Sequence, residues 1–254
     1  MENNKKRDAN YWALYITLPI ILIVIWEGFS LAGKLTTYTM PAPMTIIETI
    51  ITYIKDGSLF QDIIISFIRV LEGFLVALVL AFILGIIVSI FQKVEIFTDL
   101  VIQILRPIPP IAWIPLAILW FGIGESSKVF IIFFGAFFPI FLNTVEGVKN
   151  INPKYFELAR VYEVPKLKMI KKIIIPGALP SIMTGIRLGL GNAWVCVVAA
   201  EMIGATSGVG FMLANGRSLS RPDVVIIGML IVGIVGKLMD DVIKFLSKKL
   251  ITWN

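Results

Sequence analysis

Long apolar runs occupy much of this 254-residue sequence and limit what it can fold into. Four runs contain no Asp, Glu, Lys or Arg, and two more are interrupted by only a few charges. They lie at 9–26, 73–92, 107–124 and 129–145, followed by 177–202 and 224–246. Because about 20 apolar residues span the hydrocarbon core of a bilayer, we predict an all-α integral membrane protein with six transmembrane helices.

Residue composition supports a membrane location and excludes several kinds of chemistry. Only 16% of the residues are charged, against roughly 25% in soluble domains. The sequence has no His and one Cys, Cys196, which lies in an apolar run and is expected to pack there. It therefore offers no imidazole catalyst, no His-ligated metal site and no disulfide within the chain. We predict that the protein is not an enzyme and holds no metal or cofactor.

The distribution of Lys and Arg predicts the orientation of the chain, because short loops rich in these residues stay in the cytoplasm. Lys and Arg residues precede the first apolar run, lie at the end of the last one and are concentrated in the loop after the fourth apolar run. They are Lys5, Lys6 and Arg7; Lys244, Lys248 and Lys249; and Lys149, Lys154, Arg160, Lys166, Lys168, Lys171 and Lys172. Both termini are therefore expected in the cytoplasm, which requires an even number of spans. The net charge of +6 follows from this orientation and does not indicate a nucleic-acid partner.

The chain is predicted to form one membrane domain over 11–247, with cytoplasmic tails at 1–10 and 248–254. A cleaved signal peptide is disfavoured, because the first apolar run is longer than a signal core and cleavage would leave an odd number of spans.

The segment 43–57 carries Ile at helical spacing, which predicts an amphipathic helix on the outer surface. Near the end, oppositely charged residues four apart are predicted to pair on one helix face. These pairs are Lys237 with Asp241 and Asp240 with Lys244.

The largest cytoplasmic loop, 149–176, carries a motif in the stretch ELARVYEVPKLKMIKKIIIP. Glu157-Leu158-Ala159 is followed by three residues, Glu163, nine residues, Ile173, one residue and Ile175-Pro176. The spacing resembles the coupling loop of ABC-transporter permeases: Glu-Ala-Ala, three residues, Gly, nine residues, Ile, one residue, Leu-Pro. Glu163 stands where Gly normally breaks the helix, and Val164-Pro165 is a candidate replacement for that break. The alternative for this loop is a basic hairpin that rests on anionic lipid.

Three further blocks extend the resemblance over nearly all of the chain after about Met40. They are SFIRVLEGFLVALVLAFILGI, PIPPIAWIPLAILWFGIG and PGALPSIMTGIRLGLGNAWVCVVAAEMIGATSGVG. Together with the loop, they resemble permeases of the nitrate, sulfonate, taurine and bicarbonate branch. This resemblance implies a prokaryotic cell-membrane importer in which two copies of the permease act with two cytoplasmic ATPases and an external solute-binding protein. The implied ATPase-coupling residues are Glu157, Leu158, Ala159, Glu163, Pro165, Ile173 and Pro176.

Ionisable residues inside the apolar runs mark candidate positions on a transport pathway, because burying them in lipid is unfavourable. One stripe at helical spacing consists of Arg187, Gly191, Trp194, Val198 and Glu201. We predict that it faces the pathway, with Arg187 as a positive charge suited to an anion. The alternative is that Arg187 reaches the interface while Gly185 and Gly189 pack helices. Pro109 and Pro110 remove backbone donors, which predicts a kinked helix end at the pathway or its cytoplasmic gate, or plain kinking for packing.

The predicted function is import of a small solute by alternating access, powered by partner ATPases. ATP is expected on those partners, because the Gly-rich GATSGVG at 204–210 lacks the Lys of a phosphate-binding loop. Nitrate, bicarbonate or a sulfonate such as taurine is the favoured solute, and a vitamin or pyrimidine precursor is the alternative. A stand-alone secondary transporter or channel is the alternative from another class, and it would need no ATPase.

Overall fold

The computed structural model describes the backbone of residues 2–32 and 40–251, and the side chains from residue 16 onward within those ranges. The side chains of Lys5, Lys6 and Arg7, and all of residues 252–254, lie outside the described part. Every regular element of that part is helical, without a β-strand, as predicted. The α-helices are α1 (Glu2–Leu31), α2 (Pro43–Lys55), α3 (Ser58–Ile90), α4 (Gln92–Leu105), α5 (Ile114–Phe121), α6 (Glu125–Lys149), α7 (Pro153–Val161), α8 (Lys166–Met169), α9 (Ile175–Gly204), α10 (Val209–Ser218) and α11 (Pro222–Leu250).

Four helical segments of the described chain are long and apolar enough to cross a membrane. They are Ser58–Ile90, Glu125–Lys149, Lys166–Gly204 and Pro222–Leu250. The third segment joins α8 to α9 through a π-helical turn at Ile170–Ile174. A fifth span results if α4 and the bent segment after it are counted as one. The part of α1 whose side chains are described, Ile16–Leu31, is a shorter apolar helix. The predicted count of six spans is therefore not confirmed by these residues.

The predicted third span, 107–124, is not one helix. The helical path begins earlier, in α4, and bends by 88° before Pro110–Phe121. A 3-10 turn at Pro110–Trp113 leads into the short helix α5. The break follows from three prolines within four residues, because proline lacks a backbone donor and clashes with the preceding turn. Sequence reasoning missed α4 because charged residues interrupt its apolar residues, so that no long apolar run is visible there.

The described chain divides into two compact units, of which the first contains residues 1–60 and 212–230. In this unit α2 is helical, as predicted, and buries Ile46 and Thr49. The Thr49 hydroxyl donates to the Asp223 carboxylate at 2.8 Å, which links α2 to the first turn of α11. Arg221 also bonds to Asp223, at 2.7 Å. That hydrogen bond raises the pKa of Arg221.

The second unit contains residues 61–211 and 231–254, and its core lies where α3, α6, α9 and the second part of α11 meet. Buried side chains from these helices form one apolar cluster, which includes Val70, Ile132, Ala193 and Met239. Small residues allow close approach: a Cβ on Gly73 would lie 2.7 Å from the Ile132 side chain. Such contacts are the main source of helix association in lipid, where apolar burial gives little driving force.

The two predicted ion pairs of the last helix are present. Lys237 binds Asp241, and the Lys244 Nζ lies 2.7 Å from the Asp240 carboxylate. Each pair joins residues four positions apart, which lie on the same face of a helix. Their side chains are partly exposed.

Candidate functional site

The cytoplasmic loop predicted at 149–176 forms two helical segments joined by a sharp turn. Asn152 caps α7 by accepting a hydrogen bond from the backbone N–H of Lys154 at 3.0 Å. At the other end, the N–H of Val164 donates to the Ala159 carbonyl at 2.8 Å, and the N–H of Glu163 donates to the Arg160 carbonyl at 3.1 Å. This pair of bonds is a Schellman motif, which normally ends on a left-handed glycine.

Glu163 itself makes the break in this loop. Its φ is +48°, so a residue with a side chain occupies the left-handed conformation that glycine adopts freely. The suggestion that Val164-Pro165 replaces the break is therefore corrected. Pro165 follows the turn and precedes the first residue of α8, where its fixed φ suits a helix start.

The predicted coupling residues divide between an exposed side and a buried side. Glu157, Leu158, Glu163 and Pro165 are exposed, whereas Ala159 is buried. Ile173 and Pro176 are half-buried. Ile173, together with Phe156, packs against the buried cluster of Val148, Ile151, Ile174, Ala178 and Ile182. The buried members thus hold the loop on the membrane helices and leave the exposed members accessible.

Apolar and aromatic side chains on one side of the loop are not covered by any of the described residues. We call this surface the loop face, and its members are Tyr155, Leu158, Val161, Tyr162 and Leu167. Val161 and Tyr162 are each 77% exposed, and Leu167 is 74% exposed. Around them lie the exposed charges Lys154, Glu157, Arg160, Lys166 and Lys168. An apolar patch rimmed by charges is typical of a protein interaction site. Of the five members of the loop face, sequence reasoning named only Leu158, although the three-residue spacing of Tyr155, Leu158 and Val161 was a usable signal.

The predicted stripe on α9 does not form one exposed surface. Arg187 and Gly191 are exposed, but Trp194 and Glu201 are buried, at 3% and 1% exposure. The Trp194 indole N–H donates to the Val232 carbonyl at 2.9 Å, so its polar atom is already bonded to α11. The expectation is corrected for this reason: α9 packs against neighbours on several sides, and helical spacing alone does not show which side is open. A pathway role for Arg187 and Gly191 stays a prediction.

Arg187 forms a bidentate contact with Asp240 on α11. Its Nε bonds to Oδ1, and its Nη2 lies 3.1 Å from Oδ2. Asp240 also binds Lys244, so two cations share one carboxylate. Arg187 is therefore already paired with a carboxylate and is not an unpaired positive charge available to an anion.

Glu201 belongs to a polar cluster that sequence reasoning did not find and that is buried except for the exposed side chain of Glu125. Its carboxylate accepts hydrogen bonds from Ser66 at 2.8 and 2.9 Å, from Arg69 at 2.8 Å and from the Gly210 N–H at 2.8 Å. Arg69 also forms two hydrogen bonds to Glu125, at 2.6 and 2.8 Å, and Glu125 accepts a further one from Lys128 at 2.9 Å. We call these five side chains the Arg69 cluster.

The Arg69 cluster also holds the loop that follows α9. Arg69 donates to the Ser207 carbonyl at 2.7 Å, and Ser66 accepts from the Val209 N–H at 2.9 Å. Gly208 has a φ of +113°, and a Cβ there would lie 2.5 Å from the Glu201 carboxylate. The Gly-rich stretch GATSGVG thus closes over a buried carboxylate, and its glycines provide the necessary space.

The predicted proline site lies at the edge of a groove between α6 and α9. Pro109 is exposed, and Pro110 lines the groove, which has a volume of about 400 Å³. Its polar lining consists of Arg106, Asn143, Glu146 and Asn192. We call it the α6–α9 groove. In the described residues, no three metal-ligating side chains come close enough together to hold an ion.

Comparison with known families identifies one model, described as "Binding-protein-dependent transport system inner membrane component", that matches residues 77–252. The chain is 40% identical over 243 residues to SsuC of Bacillus subtilis, which is named for aliphatic sulfonate transport. That match covers 96% of this chain and 88% of SsuC. The chain is also 32% identical over 248 residues to the taurine transport system permease protein TauC of Escherichia coli, with 94% and 90% coverage.

A solved structure of the MetNI methionine ABC transporter, in an inward-facing conformation, has a similar fold. The TM-score is 0.65 with 16% sequence identity, and the match covers 79% of this chain and 97% of that chain. At this identity the likeness concerns the fold alone.

Proposed function

Because the chain belongs to the family of binding-protein-dependent transport system inner membrane components, we propose that it is the membrane-spanning permease subunit of an ABC importer. Two copies of it form the solute pathway, which opens to either side of the membrane in turn. Two cytoplasmic ATPases bind and hydrolyse the ATP, and an extracytoplasmic binding protein delivers the solute. The chain itself carries no catalytic step.

The proposed solute is a small anion or a molecule with an anionic head. The names of SsuC and TauC, for aliphatic sulfonates and for taurine, support a sulfonate. Nitrate and bicarbonate fit the same class of solute. A vitamin or pyrimidine precursor is the alternative, because the binding protein selects the solute before it reaches the permease.

The loop face is the observation that carries this proposal. It combines large exposed apolar side chains with the coupling spacing, and it lies on a loop that the distribution of Lys and Arg assigns to the cytoplasm. Such a surface is unfavourable in water and gains stability when a partner covers it. In the proposal, α7 enters a groove of the ATPase, and Glu157 contacts a cationic or donor group there.

In the proposed topology, α1 is the first span and the bent pair of α4 and α5 is the third, which gives six spans in all. Both termini are then cytoplasmic, with tails at 1–10 and 248–254 flanking a permease domain at 11–247. The coupling loop covers 149–176 on the inner side. The helix α2 lies outside, where its exposed Ile47, Ile51 and Ile54 contact the membrane surface.

Co-purification with the ATPase tests the proposed function. The tagged chain is extracted in detergent from cells that express the ATPase subunit encoded with it and the cognate binding protein. We expect the ATPase to be retained, and hydrolysis in liposomes to rise when the loaded binding protein is added. The chain purified alone should hydrolyse no ATP. Solute uptake by the chain alone, without the ATPase, would instead support a stand-alone transporter.

A further inference from the structure

The α6–α9 groove contains polar side chains without partners among the described residues. Arg106, Glu146 and Asn192 line it, and none of them makes a side-chain hydrogen bond or ion pair with any described residue. Asn143 donates one N–H to the Pro139 carbonyl at 2.8 Å, which leaves its amide oxygen and second N–H available. Polar groups within membrane helices are rare and generally face a pathway or a water-filled cavity.

One wall of the groove is aromatic and well supported. Phe134 and Phe138 line it, with ring centroids 6.2 Å apart. Trp113 stacks on Phe134 at 4.7 Å, and Phe130 packs against the same ring at 4.9 Å. Aromatic rings that are fixed by packing against neighbouring rings provide an apolar surface for a short alkyl chain. Binding of the alkyl chain then costs little side-chain entropy. The groove therefore offers an apolar wall beside donors, acceptors and two opposite charges.

Arg106 and Glu146 carry opposite charges but do not bind each other directly. No ion pair joins them, whereas other opposite charges on these helices do pair, such as Glu95 with Lys149. A simple anion attracted by Arg106 would meet an unfavourable carboxylate in the same groove. A molecule with both charges would satisfy both side chains at once.

We propose that the α6–α9 groove is a solute-binding site on the pathway and that it takes a small zwitterion with an alkyl spacer. The sulfonate or carboxylate of the solute binds Arg106 and the amide of Asn192. Its ammonium binds Glu146 and the amide oxygen of Asn143, and its methylene groups lie on Phe134 and Phe138. The inference rests on the proposed import function and narrows its solute from anions in general to aminosulfonates and amino acids.

Direct ligand binding tests this site without the selectivity of the binding protein. Saturation-transfer NMR is recorded on the purified permease, with or without attached ATPase, using taurine, 1-propanesulfonate and propylammonium as probes. Taurine has both charges, and each of the other probes has one of them on a chain of similar length. We expect saturable binding of taurine and about tenfold weaker binding of each single-charge probe, because each loses one charge-assisted contact.

Two substitutions separate the contributions of the charges. Glu146→Gln should weaken taurine binding about tenfold, to the level of 1-propanesulfonate, while leaving 1-propanesulfonate unchanged or slightly stronger. Arg106→Gln should weaken taurine and 1-propanesulfonate but not propylammonium. The controls Glu72→Gln and Lys93→Gln remove exposed charges on α3 and α4 that do not line this groove, and they should change none of the three.

Several results would overturn the inference. They are 1-propanesulfonate binding as tightly as taurine, no saturable signal from any probe, or equal effects of the groove variants and the controls. Protection of the reduced Asn192→Cys thiol from water-soluble thiol reagents in the permease dimer, but not in the dissociated chain, would show that a second copy covers the groove and that it is a dimer contact. Failure of the proposed function is recognised separately, since it appears as absent ATPase co-purification and absent stimulated hydrolysis.

Discussion

The coupling loop and the Arg69 cluster use charged residues in opposite ways. On the loop, Glu157 and Lys168 are exposed and bind no other described side chain. In the cluster, Arg69, Lys128 and Glu201 are buried, and each is bonded to a partner within the chain. Good geometry and further hydrogen bonds offset the desolvation cost of a buried ion pair, and the cluster has both within the described residues. Glu157 and Lys168 lack such partners among those residues, and we infer that their partners lie on another protein.

The difference also separates two roles. The Arg69 cluster joins α3, α6 and α9 and fixes the loop after α9. Its loss should damage the fold itself. Changes on the loop face should leave the fold intact and damage the contact with the ATPase. The predictions below use stability and partner binding as separate measurements.

The largest effect is expected from Arg69→Met. It removes the cation that neutralises Glu201, a carboxylate with 1% exposure, and breaking a buried pair on one side costs about 3–5 kcal/mol. We expect a large fall in the thermal stability of the detergent-purified protein. The control is Arg187→Met, which removes a partly exposed pair with Asp240 worth roughly 0–1 kcal/mol. Equal stability of the two variants would contradict the structural role of the cluster.

Glu157→Lys should separate partner binding from stability. Loss of one partner of a desolvated charge pair costs about 2–5 kcal/mol, and the new cation adds repulsion. We therefore expect at least a tenfold loss of ATPase binding in a pull-down, since about 1.4 kcal/mol corresponds to that factor. The melting temperature of the permease should not change, because Glu157 is exposed and its side chain forms no hydrogen bond or ion pair with a described residue. Normal ATPase retention would remove Glu157 from the coupling contact.

Glu163→Gly should strengthen the turn between the two loop helices. A residue with a Cβ in the left-handed region is disfavoured by roughly 1–2 kcal/mol, and glycine loses part of that gain through its greater freedom when unfolded. We expect net stabilisation of about 0–1 kcal/mol, visible as slower hydrogen exchange of the Val164 amide. Glu163→Val, with a β-branched side chain at the same φ of +48°, should give the opposite change. Faster exchange in the glycine variant would show that the Glu163 side chain stabilises the turn.

The smallest effect is expected from Lys168→Glu on α8. Its side chain is exposed, and exposed charge pairs contribute roughly 0–1 kcal/mol because water and salt screen them. ATPase retention should fall by less than in Glu157→Lys, and the remaining difference should shrink in high salt. If Lys168→Glu released the ATPase or the membrane surface while Glu157→Lys did not, the lipid-binding alternative for this loop would be favoured.

The sequence by itself determined features that depend on neighbours within a few turns of one helix. Apolar runs gave the main helices, and spacing of four predicted the pairs of Lys237 with Asp241 and Asp240 with Lys244. The motif at 157–176 located the loop because its two short helices and their turn are encoded locally. In each case the helical repeat fixes which residues meet, whatever the rest of the chain does.

Only the tertiary structure decided which polar residues are buried together. Arg69 and Glu201 are 132 positions apart, and their contact depends on how α3 packs against α9, which no local spacing records. The same packing hides Trp194 and Glu201 while it leaves Arg187 and Gly191 exposed on the same helix. The docking of the coupling loop was also decided at this level, since Phe156 and Ile173 pack against side chains of α6 and α9 that the local spacing of the loop does not specify.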